Sequence, residues 1–203
     1  MNAKEEMDKI AKEILNCTRC ELYIHRKKAV PGMGALNSKI VLVGEAPGRE
    51  EDESGFPFVG RGGKILEASL GELGVKRSDV YITNVVKCRP PKNRRPKSIE
   101  VLSCLPYLEK EVLLINPTVI VLLGATAATY LYDESLPLTK LPRAKKLEKI
   151  RGIPGQTKIQ GRSFTAVATY HPAAVLRNKK LKTKFLEDLK LALDLARFSC
   201  SSV

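Results

Sequence analysis

No apolar run in the 203 residues approaches the ~18–20 that a membrane-spanning helix needs. The first fifteen residues, MNAKEEMDKIAKEIL, are charged and amphipathic and lack the apolar centre of a signal peptide. Both absences predict a soluble, cytoplasmic protein with no membrane partner. Neither G-x-G-x-x-G nor a Walker lysine follows the first apolar strand, so a nucleotide-binding fold is unsupported. Internal repeats and low-complexity tracts are missing, as is tryptophan. Glutamine occurs only twice, a bias that leans toward a thermophile. Acidic residues are the minority charge: 22 Asp and Glu stand against 35 Lys and Arg, a net of +13.

That excess in a small domain favours a polyanionic partner, nucleic acid first, with a generally lysine-rich surface as the alternative. The basic residues cluster. Segment 87–97 (KCRPPKNRRPK) has six and no acid, 140–151 (KLPRAKKLEKIR) has six with one Glu, and 177–184 (RNKKLKTK) has five with none. The acids gather in 49–53 (REEDE).

Hydrophobic residues, at 43%, suffice for a core. Periodicity predicts a helix over 3–15, with Ile10, Ile14 and Leu15 on one stripe. KIVLVG (39–44) reads as a parallel strand buried on both faces. A Gly- and Pro-rich loop (45–63) and a helix near 64–73 follow. VYITNV (80–85) is the second strand. The next helix is expected from Ser98, as its cap, to about Leu114, with Pro106 kinking or splitting it. TVIVLLG (118–124) is the third strand, before a short helix, ATAATYLY. Residues 134–158 are basic and lack clear periodicity. FTAVATY (164–170) is the last strand, and an amphipathic helix spans about 180–197. Strands alternating with helices predict one α/β domain: a core over 39–197, an N-terminal helix and first cysteines in 1–38, and a tail at 198–203.

Ligands bind such sheets beyond the carboxyl ends of the strands. Those ends carry GEAPG (44–48), Thr83-Asn84, LLGA (122–125) and Tyr170-His171-Pro172. Asn84 presents a donor and an acceptor side by side, suited to a nucleobase edge or to an ordinary turn cap. Phe58, in the polar loop, offers either a core side chain or a face on which a base stacks. His171 suits catalysis or a structural role, and His25 has no supporting context. Five cysteines in an intracellular chain point to metal or catalysis rather than disulfides. Cys17 and Cys20 form a C-x2-C chelate, and Cys88 and Cys104 lie fifteen residues apart. Cys200, in a polar tail, reads as a bystander. Four thiolates fit tetrahedral zinc or an iron–sulfur cluster, and spacing leaves the two open.

Taken together, GEAPGREED, GFPFVGRGG, Asn84, HPAAVLRN and the order C-x2-C…C-x15-C resemble the family 4 uracil-DNA glycosylases, the iron–sulfur enzymes of thermophilic archaea and bacteria. The resemblance runs from Cys17 to the last helix. It implies a three-layer αβα fold around a four-stranded parallel sheet, and a 4Fe-4S cluster on Cys17, Cys20, Cys88 and Cys104, with zinc the runner-up. It also implies hydrolysis of the N-glycosidic bond of deoxyuridine in single- or double-stranded DNA, with the base flipped out of the stack. Phe58 would stack on uracil, Asn84 would pair with N3–H and O4, and the 45–48 turn (Glu45, Ala46, Gly48) and His171 would face O2. In family 1 enzymes an Asp in this turn orients the water and a Tyr excludes thymine. Here those slots hold Ala46 and Gly48, so either Glu45, next door, assists the water or stabilisation of the leaving group dominates with the water barely activated, and Glu51 is the candidate for rejecting the 5-methyl group. Arg89, Lys92, Arg94 and Arg95 would meet phosphates, and Val175, Leu176 and Arg177 would form a wedge in the minor groove. The resemblance leaves a monomer expected and other repair partners unspecified. The competing readings are a metal-stapled nucleic-acid-binding module without activity, and a glycosylase for another damaged base.

Overall fold

The computed structural model describes residues 2–132 and 142–198. Helices α1 (Ala3–Leu15) and α2 (Leu22–His25) precede a short strand β1 (Met33–Gly34). The chain continues through β2 (Ile40–Gly44), α3 (Arg49–Ser54), α4 (Arg61–Glu72) and β3 (Tyr81–Asn84). Next come α5 (Ser98–Ile115), β4 (Val119–Leu123), α6 (Ala125–Leu131) and α7 (Arg143–Ile150). The hairpin β5 (Pro154–Ile159) and β6 (Arg162–Thr169), then α8 (Pro172–Arg177) and α9 (Lys182–Phe198), complete the domain.

The sheet has six strands in the order β1-β3-β2-β4-β6-β5. Its middle is the expected parallel quartet: β2 pairs with β3 and with β4, and β4 pairs with β6. Every residue of β2 and β4 is buried, as unbroken apolar runs covered by helices on both faces require. The two edge strands, both antiparallel, make the sheet mixed and extend the expected four strands. β5 lies in the stretch without clear periodicity. It starts at a proline, as an edge strand can, and exposes most of its side chains. Gln160 and Gly161, both at positive φ (47° and 82°), make the two-residue turn into β6.

Three local expectations are corrected. The 45–63 loop contains α3, whose first turn carries Glu50, Glu51 and Asp52, where acids suit the helix dipole. Lys97, not Ser98, precedes the first turn of α5, and Glu100 closes that turn by accepting from the Lys97 N–H at 2.7 Å. Pro106 leaves α5 unbroken, with the acceptor it forgoes, Leu102, at an exposed position (57%). Among the described residues no helix is long and apolar enough to cross a membrane.

One buried polar knot ties α5 to the sheet. Lys87 Nζ lies 2.6 Å from Glu111 Oε2, which also accepts from Thr83 Oγ1 at 2.7 Å. Glu111 Oε1 accepts from the Gly32 N–H at 2.8 Å. Both charged side chains are about 1% exposed. The charges are therefore paired and hydrogen-bonded, as burial demands. Glu111→Leu strands a buried ammonium and is expected to cost ~3–5 kcal/mol, whereas Lys87→Met with Glu111→Leu recovers most of it. Urea denaturation midpoints check this, and a single variant as stable as its parent contradicts it.

Candidate active site

The carboxyl ends of β3, β2, β4 and β6 lie side by side, and the loops leaving them converge. Asn84 closes β3 with 1% of its surface exposed. Its Oδ1 is buried without a hydrogen-bond partner among the described residues. Such orphaned acceptors are rare in folded interiors and mark a place where a donor is brought in. Next to it ends β2, at Gly44. A side chain there would start 2.4 Å from Asn84 Oδ1 and 2.5 Å from Phe58 Cζ, so the amide and the ring meet over a bare backbone.

Phe58 is held in place from behind. Its φ of +52° is unusual for a bulky residue, a strain that the surroundings must impose. Arg77 supplies the constraint, donating from Nη1 to Phe58 O at 2.9 Å and from Nη2 to Pro57 O. Gly63 in the first turn of α4 allows the same fold, since a Cβ there would fall 1.9 Å from Phe58 O. The ring faces the imidazole of His171, with centroids 5.8 Å apart and planes 29° from parallel.

His171 caps α8, with Pro172 pre-set at the first helical position. Its Nδ1 accepts from the Ala173 N–H at 3.2 Å, so the neutral ring carries its proton on Nε2. Burial, aided by the Arg177 charge, lowers its pKa from the ordinary 6.5 to about 4. The fold thus supplies a neutral imidazole that donates through Nε2. The end of β6, just before it, is pinned by Asp188 of α9. That carboxylate accepts from Thr169 Oγ1 at 2.7 Å and from Arg151 Nη2 at 2.8 Å.

The 45–48 turn contributes Glu45, half-buried, whose Oε2 accepts from Thr126 Oγ1. Glu51 is engaged otherwise than as a free side chain. Its carboxylate accepts from the N–H groups of Gly48 (3.0 Å), Val59 (3.0 Å) and Gly60 (2.8 Å), and so clamps the turn to the Phe58 segment. Ala46 packs partly buried against the core.

The four cysteines line one pocket between α1, α2, the segment after β3 and α5. Arg26 Nη1 donates to Cys88 Sγ at 3.2 Å, and the Lys87 and Arg19 N–H groups donate to Cys104 and Cys17 at 3.2 and 3.4 Å. Burial pushes the Cys20, Cys88 and Cys104 thiols up, Cys104 to about 12. Among the described residues no three His, Cys, Asp or Glu side chains are gathered tightly enough to hold a metal ion. Cys200 lies outside the described residues.

Two expected DNA contacts change character. Arg94 forks onto the buried Glu100 at 2.6 and 2.8 Å, which makes it a brace for the loop rather than a free cation. Val175, 3% exposed, belongs to the core and cannot enter a groove, whereas Leu176 (37%) and Arg177 are exposed. Lys92 and Arg95 are exposed, and Arg89 donates from Nε to Asn93 Oδ1 at 2.7 Å. His25 is exposed. Sequence reasoning missed Arg77, Gly63 and Thr126, and reached Gly124 only as part of the LLGA strand end. Only the glycine spacing of GFPFVGRGG hinted at the close approach beside Phe58.

The family model for the uracil DNA glycosylase superfamily matches residues 31–190. The chain belongs to this superfamily. Within it, the chain is similar to type-4 uracil-DNA glycosylases. It is 45% identical over 186 residues to that of Pyrobaculum aerophilum, covering 92% of both chains. It is 43% identical to the Archaeoglobus fulgidus enzyme over 92% of this chain and 91% of that one. The Thermotoga maritima enzyme is 42% identical over 95% and 96% of the two chains. These relatives place the chain among the type-4 enzymes.

In this glycosylase the imidazole is expected to stay neutral through the physiological range. Because its folded pKa is depressed, His171 takes up its proton only near pH 4. NMR titration of the imidazole nitrogens checks this, and a His171 midpoint near 6.5 contradicts it.

Proposed function

We propose that the chain excises uracil from DNA by hydrolysis of its N-glycosidic bond, with the residues above in defined roles. The observation that carries the assignment of the pocket is the orphaned Asn84 Oδ1 beside the Phe58 ring. A flipped uracil lies on Phe58 with its N3–H donated to Oδ1 and its O4 accepting from Nδ2. Cytosine has no N3 proton and offers an amine where O4 would be, so it leaves the buried oxygen unmatched and is rejected. Thymine shares the edge of uracil and differs only by a methyl group. Rejecting it requires a wall that does not yield, and Glu51, fixed by three backbone donors, is suited to that.

Cleavage leaves the C1′–N1 electron pair on the base. Nε2–H of His171 and the Glu45–Ala46 backbone, the part of the turn whose N–H groups Glu51 does not claim, donate to O2 as that charge develops, and a neutral donor serves without losing its proton. Water attacks the oxocarbenium-like sugar, and Glu45 directs it, since Ala46 supplies no carboxylate. The products are uracil and an abasic sugar with a hydroxyl on C1′. Leu176 and Arg177, on the helix that His171 caps, fill the space the base leaves, and Arg89, Lys92 and Arg95 meet the phosphates.

Too spread to close on a single ion, the four thiols that line one pocket, with N–H groups aimed at three of them, offer the all-thiolate ligand set that the larger iron–sulfur cluster takes, on Cys17, Cys20, Cys88 and Cys104. When bound, such a cluster supplies cross-linking of α1, the segment after β3 and α5, and no step of the reaction. Purified protein is expected to be brown with about four irons per chain. Cys88→Ser or Cys104→Ser should lower the iron content and Cys200→Ser should not. Colourless, active protein with stoichiometric zinc would overturn the cluster assignment.

The excision assay tests the central assignment. Oligonucleotides carrying uracil, hypoxanthine or mismatched thymine are incubated with enzyme and cleaved with alkali at abasic sites. His171→Ala is expected to slow single-turnover excision of uracil by roughly 10²–10³, the loss typical of one such donor. If His171→Ala and Asn84→Ala both stay within about threefold of the parent, when the donor effects above apply, the pocket is misplaced. For DNA binding, Lys92→Ala with Arg95→Ala should reduce the log–log salt slope by about 0.9 per lost phosphate contact. An unchanged slope would turn the loop away from DNA.

A further inference from the structure

The hydrogen bond between Thr126 and Glu45 joins two strand ends that the reaction needs at fixed separation. Thr126 stands in the first turn of α6, immediately beyond β4, and is 2% exposed. Its hydroxyl has a single proton, which it donates to Glu45 Oε2. Among the described residues Thr126 is the only side chain bonded to that carboxylate. Two residues earlier, Gly124 at φ +95° lets His171 approach, since a Cβ there would lie 2.9 Å from that of His171. With β4 between β2 and β6 in the sheet, the segment Gly124–Thr126 therefore touches the proposed water-directing side chain on one flank and the proposed O2 donor on the other. Branching at Cβ leaves the threonine two χ1 rotamers in a helix, and the one adopted here aims its hydroxyl at Glu45.

We propose that Thr126 is a positioning residue: it holds one oxygen of Glu45 so that the other faces the attacking water. The proposal rests on the assignment of Glu45 to the water, and it explains how a carboxylate in this slot can act where Ala46 offers none. A glutamate has three side-chain torsions and, on a half-exposed turn, would otherwise spread over many rotamers. A single buried donor on Oε2 selects among them, and the alignment of reacting groups is worth orders of magnitude in rate.

A double-mutant cycle tests it. Thr126→Val keeps the shape and removes the hydroxyl. In otherwise native enzyme it is expected to slow single-turnover excision of uracil roughly tenfold or more, part of the ~10²–10⁴ a positioned acid or base contributes. Affinity for uracil-containing DNA, measured by anisotropy, should stay within about twofold, because the base-reading contacts are elsewhere. Thr126→Ser should recover most of the rate. In a Glu45→Ala background, Thr126→Val should change nothing further, since the group it acts through is gone. Equal slowing in both backgrounds would make Thr126 structural and overturn the proposal, as would a Thr126→Val enzyme as fast as its parent. Thr126→Ala carries the same cycle if the valine variant does not fold. If the parent excises uracil but Glu45→Ala is as fast, the assignment of Glu45 fails. If the parent excises no uracil, the functional reading itself fails.

Discussion

A side chain on Gly44 would collide with Asn84 Oδ1 and with the Phe58 ring, and one on Gly124 would collide with His171. The bare backbone at these two neighbouring strand ends lets the Asn84 amide, the Phe58 ring and the His171 imidazole come together. The remaining contacts serve that approach. Gly63 admits the Phe58 carbonyl, Arg77 secures it, and Glu51 binds the 45–48 turn to the same segment. The site is therefore built on rigid elements, with backbone atoms as its frame, which suits a reaction that depends on preorganised donors. Phe58 is the only aromatic among the described non-glycine residues at positive φ, a strained conformation of the kind found where function overrides local preference.

The same logic extends to the far side of β3. Thr83, next to Asn84, joins the buried Lys87–Glu111 pair, and Lys87 also donates its backbone N–H to Cys104. The Asn84 end of β3 is thereby fastened to α5, which carries one of the cysteines. A group held by the four thiols would stiffen this region without touching the base, in keeping with a staple for a basic loop that has little core of its own.

Much of this was legible in the sequence because the signals were local. Unbroken apolar runs gave the four parallel strands, the stripe of Ile10 and Ile14 gave α1, and residues at strand ends gave Asn84 and His171. What escaped notice depends on contacts between distant segments. β5 is an edge strand with mostly exposed side chains, so its apolar signal is weak, and its turn uses Gln160 where an asparagine would have been easier to recognise. Arg94 looks like its neighbours in a linear string, and only the fold brings Glu100 under it. Val175 sits in a motif read as a wedge, yet the pitch of α8 turns it inward and leaves Leu176 outside. Thr126 has no motif at all, and its part emerges only once β4 is seen between β2 and β6.

The account stands on the claim that Asn84 and His171 read the edge of uracil. Titration of nitrogen-15-labelled protein with free uracil, thymine and cytosine tests it most directly. Uracil is predicted to shift the Asn84 side-chain amide and the His171 Nε2 resonance saturably and together, while cytosine leaves both in place. Equal shifts with cytosine, or uracil shifts confined to other residues, would contradict it.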